Sequence, residues 1–220
     1  MFKRPHHQHI ARLLAHMDGA FLESCSCFFS GGTAVALMTG ECRESRNVDF
    51  LCSSQDGYRR IREAIASHSL GKLFRQTVKL HREVRADQYG IRTFIDVDGE
   101  VIRFEVIREA RMMLTGSMNN DLGVPVLCRI DLFAEKLLAN TDRSTDKSTM
   151  SRDLIDLAMM TKTWGSIPAE AWAKAEAAYG NSVRLEFDRA IRLLDDATYL
   201  AECFSRMHID LNSCSEIAIN

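Results

Sequence analysis

Phe29-Ser30-Gly31-Gly32-Thr33-Ala34-Val35-Ala36-Leu37-Met38 enters as an apolar run from Cys25, passes through two glycines and continues apolar to Gly40. The stretch reads as strand, tight glycine turn and short helix. Glycines let a ligand approach the backbone, and a helix start offers unpaired N–H groups and a positive dipole end, which suits phosphate. A Gly-Gly turn with no ligand is the alternative. Downstream, Asn47-Val48-Asp49-Phe50-Leu51-Cys52 reads as a strand. Residues i and i+2 of a strand share a face, so Asn47 and Asp49 project side by side. Two oxygen-bearing side chains near a phosphate-binding turn suggest a magnesium site, because Mg²⁺ takes hard oxygen ligands and shares substrate phosphates. A solvated polar strand face is the bland reading.

Working outward, residues 8–24 carry Ile10, Leu13, Leu14, Met17 and Phe21 at helical spacing, one buried stripe. A second helix is predicted over 55–68, with Tyr58, Ile61 and Ile65 on one face. Residues 91–107 hold two β-rich runs around Asp98-Gly99, a strong hairpin signal. In its second arm Val101, Arg103, Glu105 and Ile107 share one face, and Ile102, Phe104 and Val106 share the core face. Laid beside 47–52, this arm brings Glu105 to Asp49; as an exposed edge it leaves Arg103 and Glu105 in water. From about residue 128 the pattern turns helical, over 130–140, 152–164, 168–179 and 183–207, with a polar loop over 141–151. Lys136 lies on the first of these helices, opposite Phe133, Leu137 and Leu138; Asp153 and Asp156 sit one turn apart on the next. The fold class is therefore α+β, with a mixed α/β core over 1–128 and a helical region over 129–220.

The chain has 220 residues, 46% apolar and 26% charged, which excludes a disordered or collagen-like chain. Lysine and arginine number 28 against 30 acidic residues, a net charge of −2 that argues against a generally basic nucleic-acid coat. A local basic groove stays open. Arg75, Lys79, His81, Arg82 and Arg85 form either a nucleic-acid-facing edge or a solvated face. Seven cysteines with no C-x-x-C pair read as reduced thiols. The N-terminal sequence lacks a signal peptide's apolar core, and no apolar run approaches the ~18 residues of a membrane span. A cytoplasmic protein with no membrane partner is expected.

Taken in order, Phe29-Ser30-Gly31-Gly32-Thr33-Ala34, Arg43-Glu44-Ser45-Arg46-Asn47-Val48-Asp49-Phe50, Arg103-x-Glu105, Ala134-Glu135-Lys136-Leu137 and Arg152-Asp153-x-x-Asp156-Leu157 resemble the AbiEii/AbiGii toxin family of nucleotidyltransferases, in the DNA polymerase β-like superfamily. The matching blocks span about residues 28–158. The resemblance implies a polymerase β-like sheet with flanking helices and a C-terminal helical bundle. It implies transfer of a nucleoside monophosphate from an NTP to an acceptor, RNA or transfer RNA in characterised relatives, often in a gene pair with an antitoxin. Ser30, Gly31, Gly32, Thr33, Arg43, Ser45 and Lys136 would bind the nucleotide. Asn47, Asp49 and Glu105 would hold two Mg²⁺ (or Mn²⁺) ions, and Asp49, Glu105, Lys136 and Asp153 would be catalytic. One departure stands out. The family has Asp-x-Asp where this chain has Asn47-Val48-Asp49. An amide oxygen brings no charge, so metal affinity and rate should fall, whether Asn47 is native or a silencing substitution. Two other readings follow: a catalytically inactive binding module, and a transferase acting on a small-molecule or protein hydroxyl.

Overall fold

Asp18 divides the stripe predicted as one helix over 8–24. In the computed structural model, which describes residues 2–209, that stripe forms α1 (Pro5–Ala15) and α2 (Gly19–Ser24). The Asp18 carboxylate accepts the Phe21 N–H at 2.9 Å and starts the second helix, while Met17 bridges to Phe74. A side-chain cap plus a backbone pairing outweigh a continuous apolar stripe.

The next elements are β1 (Cys27–Ser30), α3 (Gly31–Met38), β2 (Asn47–Cys52) and α4 (Gln55–Glu63). No separate turn joins β1 to α3; Gly31, at φ +72°, is already the first helical residue. Ser54 caps α4, which stops short of the predicted 68 because Ala66 and Ser69 pair with each other. Then come β3 (Lys79–Ala86), β4 (Gly90–Val97), β5 (Glu100–Arg108), β6 (Gly116–Asn119) and β7 (Val124–Leu127). The β4–β5 hairpin turns at Asp98-Gly99, both with positive φ, as a type I′ turn demands. The seven strands form one sheet in the order β3-β4-β5-β2-β1-β7-β6. The β2–β5 and β1–β7 pairs are parallel and the others antiparallel. On the core face, Phe29, Phe50 and Phe104 step across β1, β2 and β5 with ring centroids 5.5 and 6.1 Å apart. Each is fully buried.

Residues 2–34 and 46–128 make up this compact unit; residues 35–45 and 129–209 make up a second. The sequence reading kept 35–45 with the α/β part, since its ion pair with a residue more than a hundred positions away leaves no local signal. The second unit holds α5 (Arg129–Arg143), α6 (Arg152–Trp164), α7 (Ala169–Tyr179), α8 (Ser182–Leu194) and α9 (Ala197–Arg206). Helix α5 packs against α6, α7 and α8. The helix predicted over 183–207 breaks at Asp195, where Asp196 accepts the N–H groups of Thr198 and Tyr199 and caps α9. Trp164 sits edge-on to Phe133, with Arg129 over its ring. Cys25, Cys27, Cys42, Cys52, Cys128 and Cys203 are free thiols; Cys214 lies outside the described residues. Among the described residues no helix is long and apolar enough to cross a membrane.

Candidate active site

The antiparallel pairing of β1 and β2 sets Ser30 opposite Asp49. The Ser30 hydroxyl donates to the Asp49 carbonyl at 3.3 Å, and the Thr33 hydroxyl donates to the Asn47 carbonyl at 2.5 Å. These bonds tie the first turn of α3 to the strand beside it. A Cβ at Gly31 would lie 2.9 Å from Asp49 Oδ2, so the Asp49 carboxylate stands against the start of α3. The parallel pairing of β2 and β5 puts Asn47 beside Arg103 and Asp49 beside Glu105. The conditional reading of the second hairpin arm thus resolves to the inner position. Glu105 is only 8% exposed. Its carboxylate accepts Arg103 Nη2 at 2.8 Å and faces Arg92 Nε at 3.2 Å, and Arg92 is its direct partner across β4–β5. Two guanidinium groups therefore offset the charge of Glu105. The i,i+2 spacing puts Arg103 and Glu105 on one face but does not foretell their pairing, and the Arg92 pairing depends on hairpin register.

Arg43, Ser45, Lys136 and Asp153 belong to the second unit. Ser45 is half-buried in the irregular segment before β2. The other three join a buried ion network centred on Asp156. Arg43 donates Nε and Nη2 to the two Asp156 oxygens at 2.6 and 2.9 Å, a bidentate pair. Its remaining Nη1 donates to the Glu44 carbonyl at 2.9 Å. Lys136 Nζ lies 2.6 Å from Asp156 Oδ2 and 3.1 Å from Asp153 Oδ1. Arg143 closes the row, with Nε and Nη2 at 3.0 and 2.6 Å from Asp153 Oδ2. The i,i+3 spacing on α6 puts both aspartates on one face. Burial alone would push the Asp156 carboxyl up; Arg43 and Lys136 outweigh it and hold it below the ordinary carboxylate range. At Asp153 burial also opposes charge, and Lys136 with Arg143 wins in the same direction. Burial disfavours the Arg43 cation, and Asp156 more than restores it. Polar residues 141–151 predict a loop that would hold Arg143, whereas α5 runs on to it, so no local signal marks this partner of Asp153.

Asp49 and Asn47 are the side chains on β2 that could face the implied metal. Among the described residues no three His, Cys, Asp or Glu side chains gather closely enough to hold an ion. A two-ion clamp does not fit, since Glu105 is bound to two arginines and Asn47 brings no charge. One Mg²⁺ does fit. Such an ion commonly takes one or two protein oxygens and fills its octahedron with phosphates and water, and Asp49 with the Asn47 amide oxygen on the same strand face supplies that share.

The family model described as "Nucleotidyl transferase AbiEii toxin, Type IV TA system" matches residues 12–209. The chain belongs to this family of toxin–antitoxin nucleotidyltransferases. No curated protein matches it significantly. Among solved structures, JHP933 from Helicobacter pylori is similar at 17% identity and a TM-score of 0.48, covering 98% of this chain and 100% of that one. An antigenic nucleotidyltransferase-like protein from Paracoccidioides brasiliensis is similar at 13% identity and a TM-score of 0.49, covering 89% of this chain and 92% of that one.

Proposed function

We propose that the protein transfers a nucleoside monophosphate from an NTP to a hydroxyl of an RNA acceptor, with Mg²⁺ or Mn²⁺, as the toxin of a cytoplasmic toxin–antitoxin pair. The observation that carries this reading is the meeting of Asp49 with the first turn of α3. A helix start with two glycines attracts a triphosphate. A carboxylate against that same start repels it. A divalent cation between them removes the conflict, which is the arrangement a metal-dependent nucleotidyl transfer needs. When bound, such an ion would supply charge neutralisation at the α- and β-phosphates.

In this reading Ser30, Gly31, Gly32 and Thr33 cradle the phosphates with backbone N–H groups. Asp49 and Asn47 would hold the cation. The acceptor oxygen attacks the α-phosphorus in line, and pyrophosphate leaves. Lys136 is assigned to nucleotide binding in this reading, and Asp153 holds its ammonium through their 3.1 Å contact. Arg43 works through Asp156, because both edges of its bidentate fork are taken by that buried carboxylate. Glu105 sets the field around Asp49 and positions Arg92 and Arg103.

Asn47 and the double pairing of Glu105 favour a second reading, an inactive nucleotidyltransferase fold that only binds nucleotide or RNA. Transfer from α-labelled NTPs to total RNA, with Mg²⁺ or Mn²⁺, separates the two. The proposed activity predicts label in RNA with the unaltered protein, a gain with Asn47→Asp, and none with Asp49→Ala. No label with either the unaltered protein or Asn47→Asp supports the inactive module.

A further inference from the structure

The strand β3 carries two irregularities in its pairing with β4. Lys79 pairs with Asp96, Arg82 with Phe94 and Arg85 with Arg92, with a register shift between each step. Simple alternation would send residues three apart to opposite faces. Each shift inserts one residue, so Lys79, Arg82 and Arg85 all reach the same face. Their β4 partners continue that face, and Arg92 and Phe94 pair in turn with Glu105 and Arg103. The register then runs on to Asp49 and Asn47. One side of the sheet thus bears five cations on three strands, of which Lys79 pairs with Asp96, Arg92 with Asp87 and Glu105, and Arg103 with Glu105.

Three details point to a polyanion. Arg85 and Arg92 stand directly opposite each other, a like-charge pair that costs stability. Arg82 and Arg85 are exposed and pair with no carboxylate among the described residues. Phe94 is half-buried among these cations, with the Arg82 guanidinium 4.9 Å from its ring centroid. Cations interleaved with an aromatic ring are the surface on which single-stranded nucleic acid lies, backbone on the charges and a base on the ring. At about 4.8 Å per strand, β3 lies roughly 14 Å from β2, a reach of a few nucleotides.

We propose that the face of Lys79, Arg82, Arg85, Arg92 and Arg103, with Phe94 among them, is the track along which a single-stranded RNA acceptor runs toward Asp49. This inference rests on the reading of the protein as an RNA-directed transferase. A bulged, basic edge strand also discourages edge-to-edge pairing of sheets. That role accounts for β3, and Glu105 accounts for Arg92 and Arg103, but neither explains Phe94 half-buried among cations on the inner strand β4.

The test is fluorescence anisotropy of a labelled, unstructured 20-nucleotide oligoribonucleotide with the full-length protein, over a series of salt concentrations. Each neutralised phosphate contributes about 0.7 to the slope of log K on log salt for single strands. Arg82→Gln/Arg85→Gln should flatten the slope by roughly 1.4 and weaken binding at least tenfold at low salt. Phe94→Ala should weaken binding about tenfold with the slope unchanged. Gel filtration and circular dichroism should match the parent, and binding of a fluorescent NTP analogue should not move. An unchanged affinity and slope in the double variant would overturn the track even if labelled RNA is still made. Intact track binding with no nucleotide transfer would instead sink the transferase reading and leave the track standing. No RNA binding by the parent at low salt, or displacement by polyglutamate as readily as by unlabelled RNA, overturns the proposal; the second outcome favours an acidic protein partner.

Discussion

Gly31 meets two demands at one position. Its φ of +72° is the left-handed region, and a Cβ there would sit 2.9 Å from the Asp49 carboxylate. Gly31→Ala should cost about 1–2 kcal/mol from backbone strain alone, read in a urea titration. Because the same Cβ crowds Asp49, transfer activity should fall further than stability does. Arg43 fails differently. Arg43→Ala leaves Asp156, fully buried, with only Lys136, and breaking a buried pair typically costs about 3–5 kcal/mol. A urea midpoint unchanged in that variant would dismiss the network as a structural anchor. Among single residues, Asp49 and Glu105 were legible because strand alternation and the β-rich pattern of 101–107 placed them on polar faces. Arg92 and Arg143 were not legible, since their partnerships depend on hairpin register and on where α5 ends.

Helix boundaries show where periodicity loses to capping. The stripes over 8–24 and 183–207 are continuous in the sequence, yet each is cut by an aspartate that accepts N–H groups of the following helix. Asp196→Ala should cost about 1 kcal/mol, visible as a lower thermal midpoint, with Asp196→Asn recovering most of it. Strands were legible in proportion to their burial. β2, β4 and β5 alternate, and the sequence reading found them. β3 is polar on both faces and β7 contains Pro125, so neither carries a pattern that separates strand from loop. The strand the pattern hid most completely is also the one that brings the cations to the sheet.

Over the whole molecule, charge sets the response to acid. Asp153 and Asp156 are held below the ordinary carboxylate range in the folded chain and return to about 3.9 when unfolded. The unfolded state therefore binds protons first as pH falls. The stability these groups contribute is complete above about pH 4, and drains away as the pH drops toward their depressed folded values. Urea midpoints at pH 7 and 5 should show no loss from this source, followed by a steep fall below pH 4. In Arg43→Ala that fall should shrink, because Asp156 has lost the larger of its two compensating charges. The net charge of −2 gave no hint of the basic sheet face, since composition averages over surfaces that the fold keeps apart.

The pairing of Arg43 with Asp156 joins residues 113 positions apart. A ribosome adding about 5–20 residues per second leaves Arg43 waiting roughly 6–23 s before its counter-ion is even synthesised. During that interval the segment 35–45, apolar through Met38 and cationic at Arg43, has no finished helical unit to enter. Synthesis of the chain therefore includes an interval, set by chain order alone, in which this segment is exposed without the α6 carboxylate that later neutralises it.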